Sequence, residues 1–164
     1  MVDDVDNTST LGVEWRREAS TMAFYVAVCL IAALVALDDD RRLATVGIVW
    51  GTTIGLALAH LFAFRLAARL VGGGRIDTHE ASLVVAQLTG AVVVAVIATI
   101  PVLIFPAPTD ADATRLVLSG FIGLAAFATG RSYGAGTAKS AIFAGSVLLS
   151  ATAIALVKNF LLGH

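Results

Sequence analysis

Residues 43–71 read LATVGIVWGTTIGLALAHLFAFRLAARLV, and small residues recur in that run at every fourth position: Gly47, Gly51, Gly55, Ala59, Ala63 and Ala67. A helix turns roughly 100° per residue, so a spacing of four drifts by about 40° per step and these positions form one slowly winding groove. Small side chains let a second backbone approach closely, which is how helices pack in lipid, where burying apolar surface gives no drive. The stretch predicts a membrane-spanning helix with a close neighbour along its groove.

The remaining composition agrees. The 164 residues are 58% hydrophobic and 14% charged, with mean hydropathy +0.89. A soluble domain has about 45–50% apolar and about 25% charged residues. Uninterrupted apolar runs cover approximately residues 20–37, 43–70, 81–105, 113–130 and 139–162. Each approaches or exceeds the roughly 17–25 helical residues that cross a hydrocarbon core. Backbone in lipid must satisfy its own hydrogen bonds, so such runs are helices. The expected fold is an all-α membrane protein: a cytoplasmic tail over residues 1–19, then one five-span transmembrane helical bundle over residues 20–164. The fourth run is short and Gly-rich, and a four-span bundle results if it fails to cross.

The breaks carry turn chemistry: DDDRR at 38–42, GGGRID at 72–77, PAPTD at 106–110 and GRSYGAG at 130–136. Asp77 or Thr78 is placed to cap the third helix, with Glu80 at its positive end. Pro101 is expected to kink or end that helix. Arg16-Arg17 before an apolar run has the outline of a signal peptide. The run exceeds the usual apolar region of about 7–15 residues and lacks a good small-x-small site, so a retained helix is expected.

Orientation follows from the basic residues. With the N-terminus inside, Arg16, Arg17, Arg65, Arg69, Arg75, Arg131 and Lys139 fall in the cytoplasm, against Arg41, Arg42, Arg115 and Lys158 outside. That bias predicts an inner (plasma) membrane protein with a cytoplasmic N-terminus and an external C-terminus. Trp15 and Trp50 then lie near opposite interfaces.

Little in the sequence carries chemistry. All twelve acids, Glu18 among them, lie outside the apolar runs, and none follows Asp112. A net charge of −1 gives no basic face for nucleic acid. The single cysteine, Cys29, excludes an internal disulfide and reads as a small buried hydrophobe. No nucleophile has a base, no phosphate-binding or dinucleotide loop is present, and no cofactor or metal is implied; an enzyme is not expected. Asp77, His79 and Glu80 include metal-ligating types, but adjacent helical residues point apart, and capping explains them better.

His60 is the ionisable group set furthest inside a run, and Gln87 in the third run enters from the same side. Intramembrane polar groups are functional candidates, so His60, Gln87 and Thr53 form the expected lining of a polar path. The plainer alternative is a neutral histidine in an interhelical hydrogen bond, worth about 1 kcal/mol or less.

The stretch from TGAVVVAVIATIPVLIF at 89–105 to RLVLSGFIGLAAFATGRSYGAGTAKSAIFAGSVLLSATAIALVKNFLLG at 115–163 resembles the last three spans of the vacuolar iron transporter family. Shared are a proline near the end of the third span, a Gly-rich fourth span, a basic turn and a last helix rich in small residues. The resemblance implies five spans with the N-terminus inside. That family's Asp-Gly pair in the first span, glutamate in the second and Glu-rich cytoplasmic segment are absent here. His60 stands where the glutamate would fall, so divalent-metal transport is not implied, because a desolvated cation needs anionic oxygens.

The expectation is a small transporter or channel for a small solute or ion, in the lipid bilayer and assembled as a homo-oligomer through its small-residue faces. The alternative is an accessory or scaffolding membrane protein that packs with partner helices and transports nothing.

Overall fold

A computed structural model of the chain describes residues 3–36, 42–71, 78–107 and 109–162. Five helices fill these segments: α1 Asp3–Val35, α2 Arg42–Val71, α3 Thr78–Ile104, α4 Thr109–Ser132 and α5 Thr137–Leu162. Each is long and apolar enough to cross a membrane, the fourth included, with 24 residues and mean hydropathy 1.4. At about 1.5 Å per residue, 24 residues exceed the roughly 30 Å of a hydrocarbon core. The expected turns at 38–41 and 72–77, with Asp77 as a cap, lie outside the described residues.

The direction of each helix is fixed by the side chains it pairs. Glu14 meets His79 and Glu18 meets Gln87, so α1 and α3 run parallel. Arg42 donates to the Phe105 carbonyl, Trp50 to Thr99 and His60 to Gln87, so α2 runs antiparallel to α3. The Thr114 hydroxyl of α4, bonded to the Asp110 carbonyl at 2.7 Å, lies 3.4 Å from the Ala98 carbonyl of α3, and Gly130 packs on Ser140 of α5. Successive helices alternate in direction. The N-terminal end of α1 therefore shares one end of the bundle with the α2–α3 and α4–α5 connections, and the C-terminal end of α5 lies at the other.

The core lies between α1, α3 and α4, with α2 and α5 against it. Val26, Ala27, Leu30, Leu34, Val49, Val94, Ala95, Ala98 and Leu118 are fully buried, and Phe24 meets Phe121 with ring centroids 6.0 Å apart. Alanine and glycine set the spacing. A methyl group added at Gly90 would overlap the Ala19 carbonyl oxygen, and one at Gly130 would stand 2.9 Å from Ser140 Oγ. The small pairs that close these contacts are Ala86/Gly90 on α3 and Ala126/Gly130 on α4, and all four residues are buried.

The groove of α2 is placed differently. Gly47, Gly51, Gly55, Ala59, Ala63 and Ala67 are all exposed, and nothing lies within 4 Å of a Cβ built on any of the three glycines. No helix of this chain occupies the groove among the described residues. Helix α2 instead turns Thr45, Val49 and Thr53 inward, and these are its buried residues.

One element boundary differs from the sequence expectation. Helix α1 is continuous across residues 19 and 20, so residues 3–19 form its first half, and its apolar span begins at Leu11. Helix α3 continues past Pro101 to Ile104. Proline removes the amide that would bond the Ile97 carbonyl, and one residue further on the Thr114 hydroxyl reaches the Ala98 carbonyl at 3.4 Å.

Candidate functional site

The N-terminal extension of α1 has a direct consequence for polar chemistry. Glu18 sits within the span Leu11–Val35, 22% exposed, and its Oε2 accepts from Gln87 Nε2 at 2.8 Å. Gln87 Oε1 in turn meets His60 Nε2 at 2.5 Å. One hydrogen-bonded chain thus joins α1, α3 and α2.

The polarity of the chain follows from its members. A carboxylate only accepts, so Glu18 requires the amide NH2 of Gln87. The amide oxygen then faces His60, and the imidazole must donate from Nε2. The tautomer of His60 is therefore set by Glu18, two residues away through space and one helix removed. An amide does not relay protons as readily as a carboxyl or imidazole does; Gln87 couples and orients its neighbours.

The chain lies near the charged end of the bundle. Arg17 contacts Glu18 at 3.4 Å, and His79 Nε2 stands 3.0 Å from Glu14 Oε2, one turn earlier on the same face of α1. His60 precedes Arg65 by five residues, about 7.5 Å of helix. Beside the chain lies a cavity of about 210 Å³ lined by Thr21, Met22, Tyr25, His60 and Gln87. Toward the other end of the bundle the interior closes on the aliphatic core.

Of the residues expected to line a path, His60 and Gln87 are brought into contact and share the cavity. Thr53 is buried, donates to the Val49 carbonyl at 2.7 Å and does not line that cavity. It lies about two turns beyond His60 on the inner side of α2. The member that sequence reasoning missed is Glu18. The signal was present in the Glu14/Glu18 spacing of four within GVEWRREAS, which places both carboxylates on one helix face once the helix is extended back through the tail. His79 joins Glu14, and no group of three or more His, Cys, Asp or Glu able to hold a metal occurs among the described residues.

A second polar set occupies the opposite end. Asp110 in the first turn of α4 is 1% exposed; its Oδ1 accepts from the Ala111 amide at 2.9 Å, and its Oδ2 has no partner among the described residues. Arg115 bridges Asp112 at 2.6 Å and the Leu34 carbonyl of α1.

Comparison with protein-family models, with curated proteins and with solved structures finds no match.

Proposed function

We propose that this protein is a multi-pass membrane transporter or channel for a small ion or solute, and that Glu18, Gln87 and His60 form the polar site at its N-terminal, cytoplasmic end. The observation that carries this reading is the hydrogen-bonded chain across three helices beside a cavity of about 210 Å³. Ionisable groups are costly within a membrane and are kept where a charge or a proton is handled. Glu18 supplies the carboxylate that the apolar runs lack, so the site is suited to a proton or another small cation as well as to a neutral solute.

Beyond the polar chain the interior is filled by the aliphatic core, so passage requires a helix to move, and α2 is the element suited to it. Its span is the least buried of the five, although Ile48, Trp50 and Leu56 pack against the core beside the buried Thr45, Val49 and Thr53, and its side chains hydrogen-bond from Arg42 to Phe105 just beyond α3, from Trp50 to Thr99 and from His60 to Gln87. Displacing α2 from α3 breaks these bonds and opens a route along its inner face, past His60 and then Thr53.

The outward-facing groove of α2 favours a second reading, an accessory protein whose Gly47, Gly51 and Gly55 face seats another helix. Reconstitution separates the two. Liposomes holding the purified chain are assayed for proton, cation and neutral-solute flux against empty liposomes. Transport requires flux above the empty control for at least one species, and its reduction in Glu18→Gln. Absence of flux for every species supports the accessory reading.

A further inference from the structure

On the face of α1 that turns away from the polar chain lies a larger pocket, about 360 Å³, between α1, α3 and α4. Its floor is Ala19 and Gly90, where the two backbones touch, and its walls are Trp15, Phe24, Val93 and Phe121. The hydroxyl of Thr89 is turned back to the Val85 carbonyl at 2.8 Å, which leaves Ser20 as the other hydroxyl of the lining. Whatever fills the pocket is apolar there.

Its length and its charge identify the occupant. Along α1 the lining runs from Trp15 to Phe24. Nine residues of rise span about 13.5 Å, close to one leaflet of a core roughly 30 Å thick. A partner helix would use the whole span. At the N-terminal end of this lining, next to Trp15, is Arg16, which precedes Ala19 by three residues and Ser20 by four and so shares their face of α1. Arg16 is exposed and forms no ion pair among the described residues, whereas Arg17 is engaged with Glu18. A guanidinium with no ion pair among the described residues, at the N-terminal end of an apolar groove about as deep as one leaflet, matches a phospholipid, phosphate at Arg16 and chain along the groove.

We propose that this groove holds one acyl chain of an anionic phospholipid whose headgroup is paired by Arg16. Apolar walls gain nothing over bulk lipid from burial alone. Shape therefore retains the chain, and Arg16 selects the headgroup. The site is separate from the Glu18–Gln87–His60 chain and stands whether or not the protein transports.

Native mass spectrometry of the delipidated, detergent-solubilised protein tests the proposal, with phosphatidylglycerol and phosphatidylcholine of identical chains titrated in turn. The native chain should retain phosphatidylglycerol more strongly, and Arg16→Gln should reduce that preference by about fivefold, the effect of one basic residue at an anionic surface. Ser20→Phe, which fills the mouth of the groove, should lower retention of both lipids. Arg65→Gln, an equal charge change at the same end but outside the groove, should leave retention unchanged. Circular dichroism confirms that each variant keeps its helix content. Equal retention of the two lipids by the native chain overturns the proposal, as does a loss in Arg65→Gln matching that in Arg16→Gln, or a folded Ser20→Phe that binds as the native chain does.

Discussion

Gln87 occupies the middle of the polar chain because an amide both donates and accepts, its NH2 serving Glu18 and its oxygen serving His60. Gln87→Leu leaves the Glu18 carboxylate without its amide donor and His60 without its acceptor. In lipid an interhelical hydrogen bond contributes about 0.6 kcal/mol on average and up to about 1.7 kcal/mol. Losing both bonds should therefore lower stability by about 1 to 2 kcal/mol, read as a shifted unfolding midpoint in detergent. Nitrogen-15 NMR of selectively labelled histidine should show His60 protonated at Nε2 in the neutral form, and Glu18→Gln should relax that preference. A neutral His60 protonated at Nδ1 contradicts the hydrogen-bond direction described here. Two members of the chain, His60 and Gln87, were legible in the sequence because each is an isolated polar residue in an apolar run. Glu18 was not, because two arginines beside it made the segment read as tail, and only the continuity of α1 through residues 19 and 20 carries its carboxylate to α3.

Small residues serve two different ends on different helices. On α3, Gly90 is required by the backbone of α1, so Gly90→Leu should separate α1 from α3 and cost about 3 kcal/mol or more, in the range of severe overpacking. On α2, a Cβ at Gly51 or Gly55 would meet nothing within 4 Å among the described residues. Gly51→Leu and Gly55→Leu should leave the unfolding midpoint of the isolated chain unchanged within about 0.5 kcal/mol, as surface substitutions do. The proposed homo-oligomer, if it assembles through this groove, should be lost in the same variants on crosslinking. Normal assembly by both variants removes the groove from the interface. The five helices were readable from apolar run length alone. Which small-residue face turns inward was not, because periodicity marks a close approach without saying whether the approaching backbone belongs to the same chain. The longest seam, on α2, faces outward, while the shorter Ala86/Gly90 and Ala126/Gly130 pairs close the core.

For the molecule as a whole, the alternating helices place the α3–α4 connection at one end and the α4–α5 connection at the other. In the proposed orientation, which rests on the basic-residue bias, the α4–α5 connection is cytoplasmic. In a Cys29→Ser background, a cysteine at Ala107 should react with an impermeant thiol reagent on intact cells. One at Gly136 should react only after permeabilisation. The reverse pattern inverts the orientation and moves the Glu18–Gln87–His60 chain to the outer face. Transport itself is the central claim, and the most direct measurement is flux into liposomes reconstituted with equal amounts of the native chain and His60→Ala. Loss of an interaction of about 1.4 kcal/mol at the site corresponds to roughly a tenfold change, so flux in His60→Ala should fall by about that factor while the variant remains folded. Flux that is absent from the native chain, or that is the same in both proteins, contradicts a path at His60.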